Sequence, residues 1–111
     1  MNYNIIVTRR FEKELKRLHK KFFSLKEEFA QLIVDITENP MTGTFIGNNC
    51  YKIRLAISSK GKGKSGGARV ITHLYIETDT VYLLTIYDKN EKTDIQPNEL
   101  KKMIDSLELD K

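Results

Sequence analysis

The stretch Val81-Tyr82-Leu83-Leu84-Thr85-Ile86-Tyr87 is almost continuously apolar. It is too short for an ordinary helix and rich in β-branched and aromatic residues, so it predicts a strand. A strand of this composition offers neither face to water and has to be buried on both. Any fold for this chain must therefore surround residues 81–87 with other strands and with covering layers.

The rest of the sequence supplies those parts. Asn2–Val7 is short and β-branched and reads as a first strand. Thr8 is placed to cap a helix whose apolar face is Phe11, Leu15, Leu18 and Phe22, recurring at helical spacing. Ser24-Leu25-Lys26-Glu27 has the form of a capping box, and a second helix follows with Leu25, Phe29, Leu32, Ile33 and Ile36 on one face. Asn39-Pro40 ends it. The short connection makes the two helices an antiparallel hairpin. Residues 40–49 read as a loop. Cys50–Ile57 alternates, with Tyr51, Ile53, Leu55 and Ile57 on one side and Lys52, Arg54 and Ala56 on the other. The glycine–lysine loop of residues 58–67 joins it to a strand over Ala68–Ile76, and Glu77–Thr80 turns into the apolar run. Pro97 opens a last helix, Pro97–Leu107. The expected class is α+β, in the order β-α-α-β-β-β-α, with an antiparallel sheet carrying the helical hairpin on one face. The 111 residues are expected to form one domain, 1–111.

Several classes of protein are excluded. One cysteine, Cys50, allows no intramolecular disulfide and no cysteine-built zinc site. No apolar run approaches the ~20 residues of a membrane span. The N-terminal MNYNIIVTRR lacks a basic segment followed by an apolar stretch, so no signal peptide and a cytoplasmic location are expected.

The net charge of +4 conceals a pattern. Residues 1–26 hold eight Lys/Arg and two acids, and residues 51–70 hold six bases and no acid. Residues 27–50 and 71–111 are each net acidic. Such segregation suits a surface that meets a polyanion, of which the phosphate backbone is the commonest inside cells. If Val70, Thr72, Leu74 and Ile76 face the helical hairpin, Arg69 and His73 lie on the opposite sheet face with Lys52 and Arg54. Lys89 and Lys92 follow the apolar strand, and Lys60, Lys62 and Lys64 hang at the edge of the sheet. Arg10, Lys13 and Arg17 form a basic stripe on the first helix. Cations gathered on one face repel each other unless an anion is bound, so the patch is expected to take a phosphate-bearing ligand. His73, near Arg69, is a candidate general acid or base near neutral pH. The lysine loop lacks the spacing of a nucleotide-binding P-loop. Asp88, Glu91 and Asp94 are spaced by three but read as a solvated turn, and no metal ligand set or cofactor is expected.

These parts resemble the RelE/ParE superfamily of small bacterial toxins, and within it the HigB-like branch. The resemblance is carried by Cys50-Tyr51-Lys52-Ile53-Arg54-Leu55, by Lys64-Ser65-Gly66-Gly67-Ala68-Arg69-Val70-Ile71, and by Tyr82–Lys92. It implies a RelE-like fold and a ribosome-dependent mRNA endonuclease that uses the RNA's own 2′-hydroxyl as nucleophile. It also implies a cognate antitoxin, HigA-like and bearing a helix-turn-helix, as partner alongside mRNA and ribosome. Arg69, Arg54, Lys52, Lys89 and His73 would form the catalytic set. Lys60, Lys62, Lys64, Lys92, Arg10, Lys13 and Arg17 would hold RNA. Two departures stand out. Pro97–Lys111 contains no tyrosine where RelE carries one in its site, and the family's arginine after the last strand falls near Asn90. Tyr87 and His73 are the candidate substitutes. A gyrase-directed toxin of the ParE kind and a non-catalytic RNA- or ribosome-binding module are the alternatives.

Overall fold

In the computed structural model, which describes residues 3–60 and 66–107, the apolar run is an inner strand. The elements are β1 (Asn4–Val7), α1 (Arg9–Lys21), α2 (Leu25–Glu38), β2 (Thr44–Phe45), β3 (Cys50–Leu55), β4 (Ala68–Tyr75), β5 (Thr80–Asp88) and α3 (Pro97–Asp105). The sheet order is β1-β5-β4-β3-β2. β3, β4 and β5 form the expected antiparallel meander. β1 joins β5 in parallel, because the chain crosses the sheet through α1 and α2 before returning. Two residues of the expected loop 40–49 form β2 at the far edge, paired with Tyr51 and Lys52.

Both faces of β5 are covered, as its composition demands. Toward the helical hairpin, Val81, Leu83 and Ile86 pack with Val70, Leu74 and Ile53 against Phe11, Leu18, Leu25, Leu32 and Ile36. On the opposite face Leu84 and Tyr87 pack with Cys50 and Ile71 against Leu100 and Met103 of α3. Adjacent residues Leu83 and Leu84 can serve opposite layers while the pairing slips by one. Ile71 pairs with Thr85 and Thr72 with Leu83, which leaves Leu84 as the extra residue of a β-bulge. Burial of these chains is the main stabilising term, at roughly 25 cal/mol per Å² of apolar surface.

Local signals hold at some ends and fail at others. Thr8 caps α1 by accepting from the Phe11 N–H. Ser24 does not cap α2: its backbone is already helical, and its hydroxyl bonds Glu28 and Ser59 instead. A capping box forms at α3, between Gln96 and Glu99. Ile76, expected in the core, lies in a short helical turn and is exposed. At the start of β4, Gly67 is required by close approach. A Cβ there would sit 2.1 Å from the Leu55 carbonyl oxygen. This closeness lets β4 enter beside β3 and sets Arg69 opposite Arg54.

Candidate nucleic-acid interface on the sheet

The alternation read in Cys50–Leu55 is present. Cys50 packs on the α3 side of the sheet, while Tyr51, Ile53 and Leu55 pack on the hairpin side. Lys52 and Arg54 share the parity of Cys50 and so belong to the α3 face. In the register, Arg54 stands opposite Arg69, and Arg69 opposite Tyr87. Three side chains thus form a row across β3, β4 and β5, with neighbouring Cβ atoms about 5 Å apart. Lys52 sits two residues along β3, opposite Ile71.

The row is graded in exposure. Arg54 is exposed at its outer end. Arg69 is only 4% exposed, and its guanidinium donates to the Ala68 carbonyl at 3.1 Å. Tyr87 is 6% exposed, and its hydroxyl has no hydrogen-bond partner among the described residues. Burial pushes the Tyr87 phenol up to about 12, and Asp94 adds to this while the Arg69 charge opposes it. A buried hydroxyl without a partner costs roughly 1–3 kcal/mol; Thr72 Oγ1 is a second such group among the described residues.

The remaining predicted cations divide by partner. Lys52 Nζ lies 3.2 Å from Asp94, on the wall of a cleft of about 170 Å³ shared with Asn48, Ile95 and Leu100. Lys89 is half-buried where the Lys89 N–H ties to Gly67, and its charge helps hold the Asp94 carboxyl below its usual range. The leading cause of that depression is the Ile95 N–H, which donates to Asp94. Lys92 pairs with Glu99 of α3.

Among the expected site residues, Lys60 and His73 lie away from this row. The Lys60 side chain is 5% exposed, bonded to Asp88 at 2.7 Å and placed over the Phe22 ring at 5.2 Å. In this structure its charge is matched by Asp88 and not turned toward the row. His73 lies four residues from Arg69 along β4, about 13 Å away at strand rise. It is buried, with Nδ1 3.4 Å from the Cys50 Sγ, and burial lowers its basicity. Its lowered basicity leaves the imidazole neutral at pH 7, and the strand distance keeps it apart from Arg69. On α1, Arg17 makes a two-point pair with Glu91, and Arg10 pairs with Glu14. Lys13 is exposed. Lys62 and Lys64 lie outside the described residues.

Sequence reasoning treated the acids at and after the end of β5 as a solvated turn. They are counter-ions: Asp88 holds Lys60 and Lys21, Glu91 holds Arg17 and Lys21, and Asp94 holds Lys52. Their three-residue spacing carried no hint of this, since each partner is distant in sequence. Among the described residues no group of acids, histidines and cysteine is arranged to hold a metal ion. No helix among them is long and apolar enough to cross a membrane.

The family described as "RelE toxin of RelE / RelB toxin-antitoxin system" matches this chain over residues 5–107. Among solved structures, an arginine double mutant of the toxin RelE of E. coli in the free state is similar at a TM-score of 0.64 and 18% identity. That match covers 96% of this chain and 99% of the other. The intact RelBE toxin–antitoxin complex of E. coli is similar at 0.60 and 22% identity, over 78% of this chain and 95% of that one. The RelBE2 toxin–antitoxin complex of Mycobacterium tuberculosis is similar at 0.57 and 18% identity, over 79% and 99%. At these identities the structures speak for the shared fold.

Proposed function

Because the chain belongs to the RelE toxin family, we propose that it is the toxin of a type II toxin–antitoxin system and acts as a ribosome-dependent mRNA endonuclease of the HigB-like kind. One observation carries the nuclease reading: the row Arg54–Arg69–Tyr87 across three strands. It offers one anchored and one exposed cation and an unpartnered hydroxyl on one face.

The chemistry asks for little more. The 2′-hydroxyl of RNA attacks the adjacent phosphorus and gives up its proton to solvent water; a bond forms from that oxygen to phosphorus, the bond to the 5′-oxygen breaks, and the 5′-oxygen takes a proton as it departs. The products are a 2′,3′-cyclic phosphate and a 5′-hydroxyl. Negative charge accumulates on the nonbridging oxygens, where preorganised guanidinium groups act most strongly. Arg69, anchored by its own backbone neighbour, holds the scissile phosphate, and the exposed Arg54 guides the chain toward it. A phenol that titrates near 12 stays protonated at neutral pH. Tyr87 therefore serves as donor to the phosphate or to the departing 5′-oxygen, and not as base. Lys89 and Lys52 are the cations nearest the row on the segment after β5 and on β3. Lys92, Arg10, Arg17 and the exposed Lys13 meet phosphates of mRNA or ribosomal RNA, which displace Glu99, Glu14 and Glu91 from the first three. The neighbouring toxin–antitoxin complexes support a cognate antitoxin as partner, here a helix-turn-helix protein of the HigA kind.

The test is a bacterial translation extract with a defined mRNA, the 5′ ends mapped with and without ribosomes. Wild-type protein is expected to cut only with ribosomes, and Arg69→Ala to lose on the order of 10²–10³ in rate. Intact mRNA from a folded wild-type sample refutes the nuclease. A gyrase cleavage assay then decides whether the chain acts in the ParE manner.

A further inference from the structure

The cation Lys52 already has an anion. Asp94 reaches it from the segment between β5 and α3, at 3.2 Å, and the same carboxylate feels the charge of Lys89. Asp94 is itself held by the N–H of Ile95, so its carboxylate is aimed by the backbone. A second carboxylate of the same region, Glu99, occupies Lys92. Two cations of the phosphate-facing surface are thus filled by acids a few residues apart in the chain. Neither acid is needed to neutralise a buried charge, since Lys52 and Lys92 both reach solvent. The contrast with Asp88, enclosed against the equally enclosed Lys60, is direct.

We propose that Asp94 is an internal substitute for a substrate phosphate, a specificity-determining residue that nucleic acid must displace from Lys52. The inference rests on the reading of this face as an RNA site. A single oxyanion held beside a lysine imitates one phosphate of a single strand. Loose polyanions compete poorly with it, because the pair is intramolecular and needs no association. RNA delivered in a fixed geometry, with several phosphates engaged together, displaces it. Asp94 thereby weakens indiscriminate RNA binding while leaving the fully engaged complex little affected.

The experiment measures fluorescence anisotropy of a labelled single-stranded RNA oligonucleotide across a potassium chloride series. The full chain is used as wild type, Asp94→Asn, Lys52→Ala and the double variant. Asp94→Asn keeps the side-chain carbonyl that can accept from Ile95, and circular dichroism confirms the fold of each. Asp94→Asn is expected to tighten binding roughly twofold to fivefold, the range of an exposed ion pair. Its salt slope is expected to steepen by about 0.7, the value of one more phosphate contact on a single strand. In the Lys52→Ala background the gain should vanish. Unchanged or weaker binding by Asp94→Asn overturns the proposal, and so does an equal gain with and without Lys52, which would reveal only a change in net charge. Absence of RNA binding by the wild type is a different result: it removes the RNA reading and this proposal with it.

Discussion

The pair Lys60–Asp88 gives the sharpest quantitative expectation. Asp88 is 1% exposed and Lys60 5%, with 2.7 Å between Nζ and Oδ1. The same carboxylate accepts from the Asn90 N–H and meets Lys21 at 3.6 Å. Asp88→Asn keeps the volume and removes the charge, leaving the Lys60 ammonium enclosed against Phe22 without its counter-ion. Breaking a buried pair from one side costs about 3–5 kcal/mol. Lys21 is about half exposed and admits water to one side of the cluster, which places the cost near the lower end, about 3 kcal/mol. For a domain of this size that is a large share of a total stability of roughly 5–15 kcal/mol, and the midpoint of thermal unfolding should fall by roughly 10–20 °C. Urea unfolding followed by circular dichroism reads the loss. The double variant Lys60→Met with Asp88→Leu should recover most of it, because two apolar groups need no counter-charge. A loss below about 1 kcal/mol in Asp88→Asn, with unchanged urea dependence, would show that water reaches Lys60 freely and would refute the reasoning.

Two further expectations separate structure from function. Tyr87→Phe removes a hydroxyl that has no partner among the described residues, so stability should hold or rise by up to about 1 kcal/mol, while RNA cleavage in the translation extract should fall at least tenfold; equal activity would remove Tyr87 from the chemistry. His73 is held below its ordinary range by burial, so the unfolded chain binds more protons than the folded one as pH falls from about 6.5. Stability should therefore decline through that window in the wild type and decline less in His73→Gln; parallel urea midpoints between pH 7 and 5 would contradict a neutral, buried imidazole.

Much of the candidate site was legible in the sequence because strand alternation is a strict period. Given Tyr51, Ile53 and Leu55 on the core side, Lys52 and Arg54 had to share the other face. Val70 and Leu74 placed Arg69 with them in the same way. His73 obeyed the same parity and yet left the site, since parity gives a face and not a position along it. Lys60 was misread for a different reason: a lysine beside a glycine-rich loop looks exposed until Asp88, distant in sequence, is found beside it. Tyr87 stood out as a substitute only by type, and its lack of a partner could be seen only once its neighbours were in place.

By itself the sequence determined the longer elements and the layering, but not the short edge strand β2 or the parallel pairing of β1. The unbroken apolar run of residues 81–87 required two covers, the stripes of α1 and α2 supplied one, and alternation separated the cations from the core. Tertiary structure alone decided which charges meet. Whether an acid is a solvated turn residue or the counter-ion of a buried lysine depends on pairings across tens of residues. Such pairings are set by register, by the bulge at Leu84 and by the docking of α3 on the second face. The strength of each pair follows from its burial, and burial belongs to the folded chain.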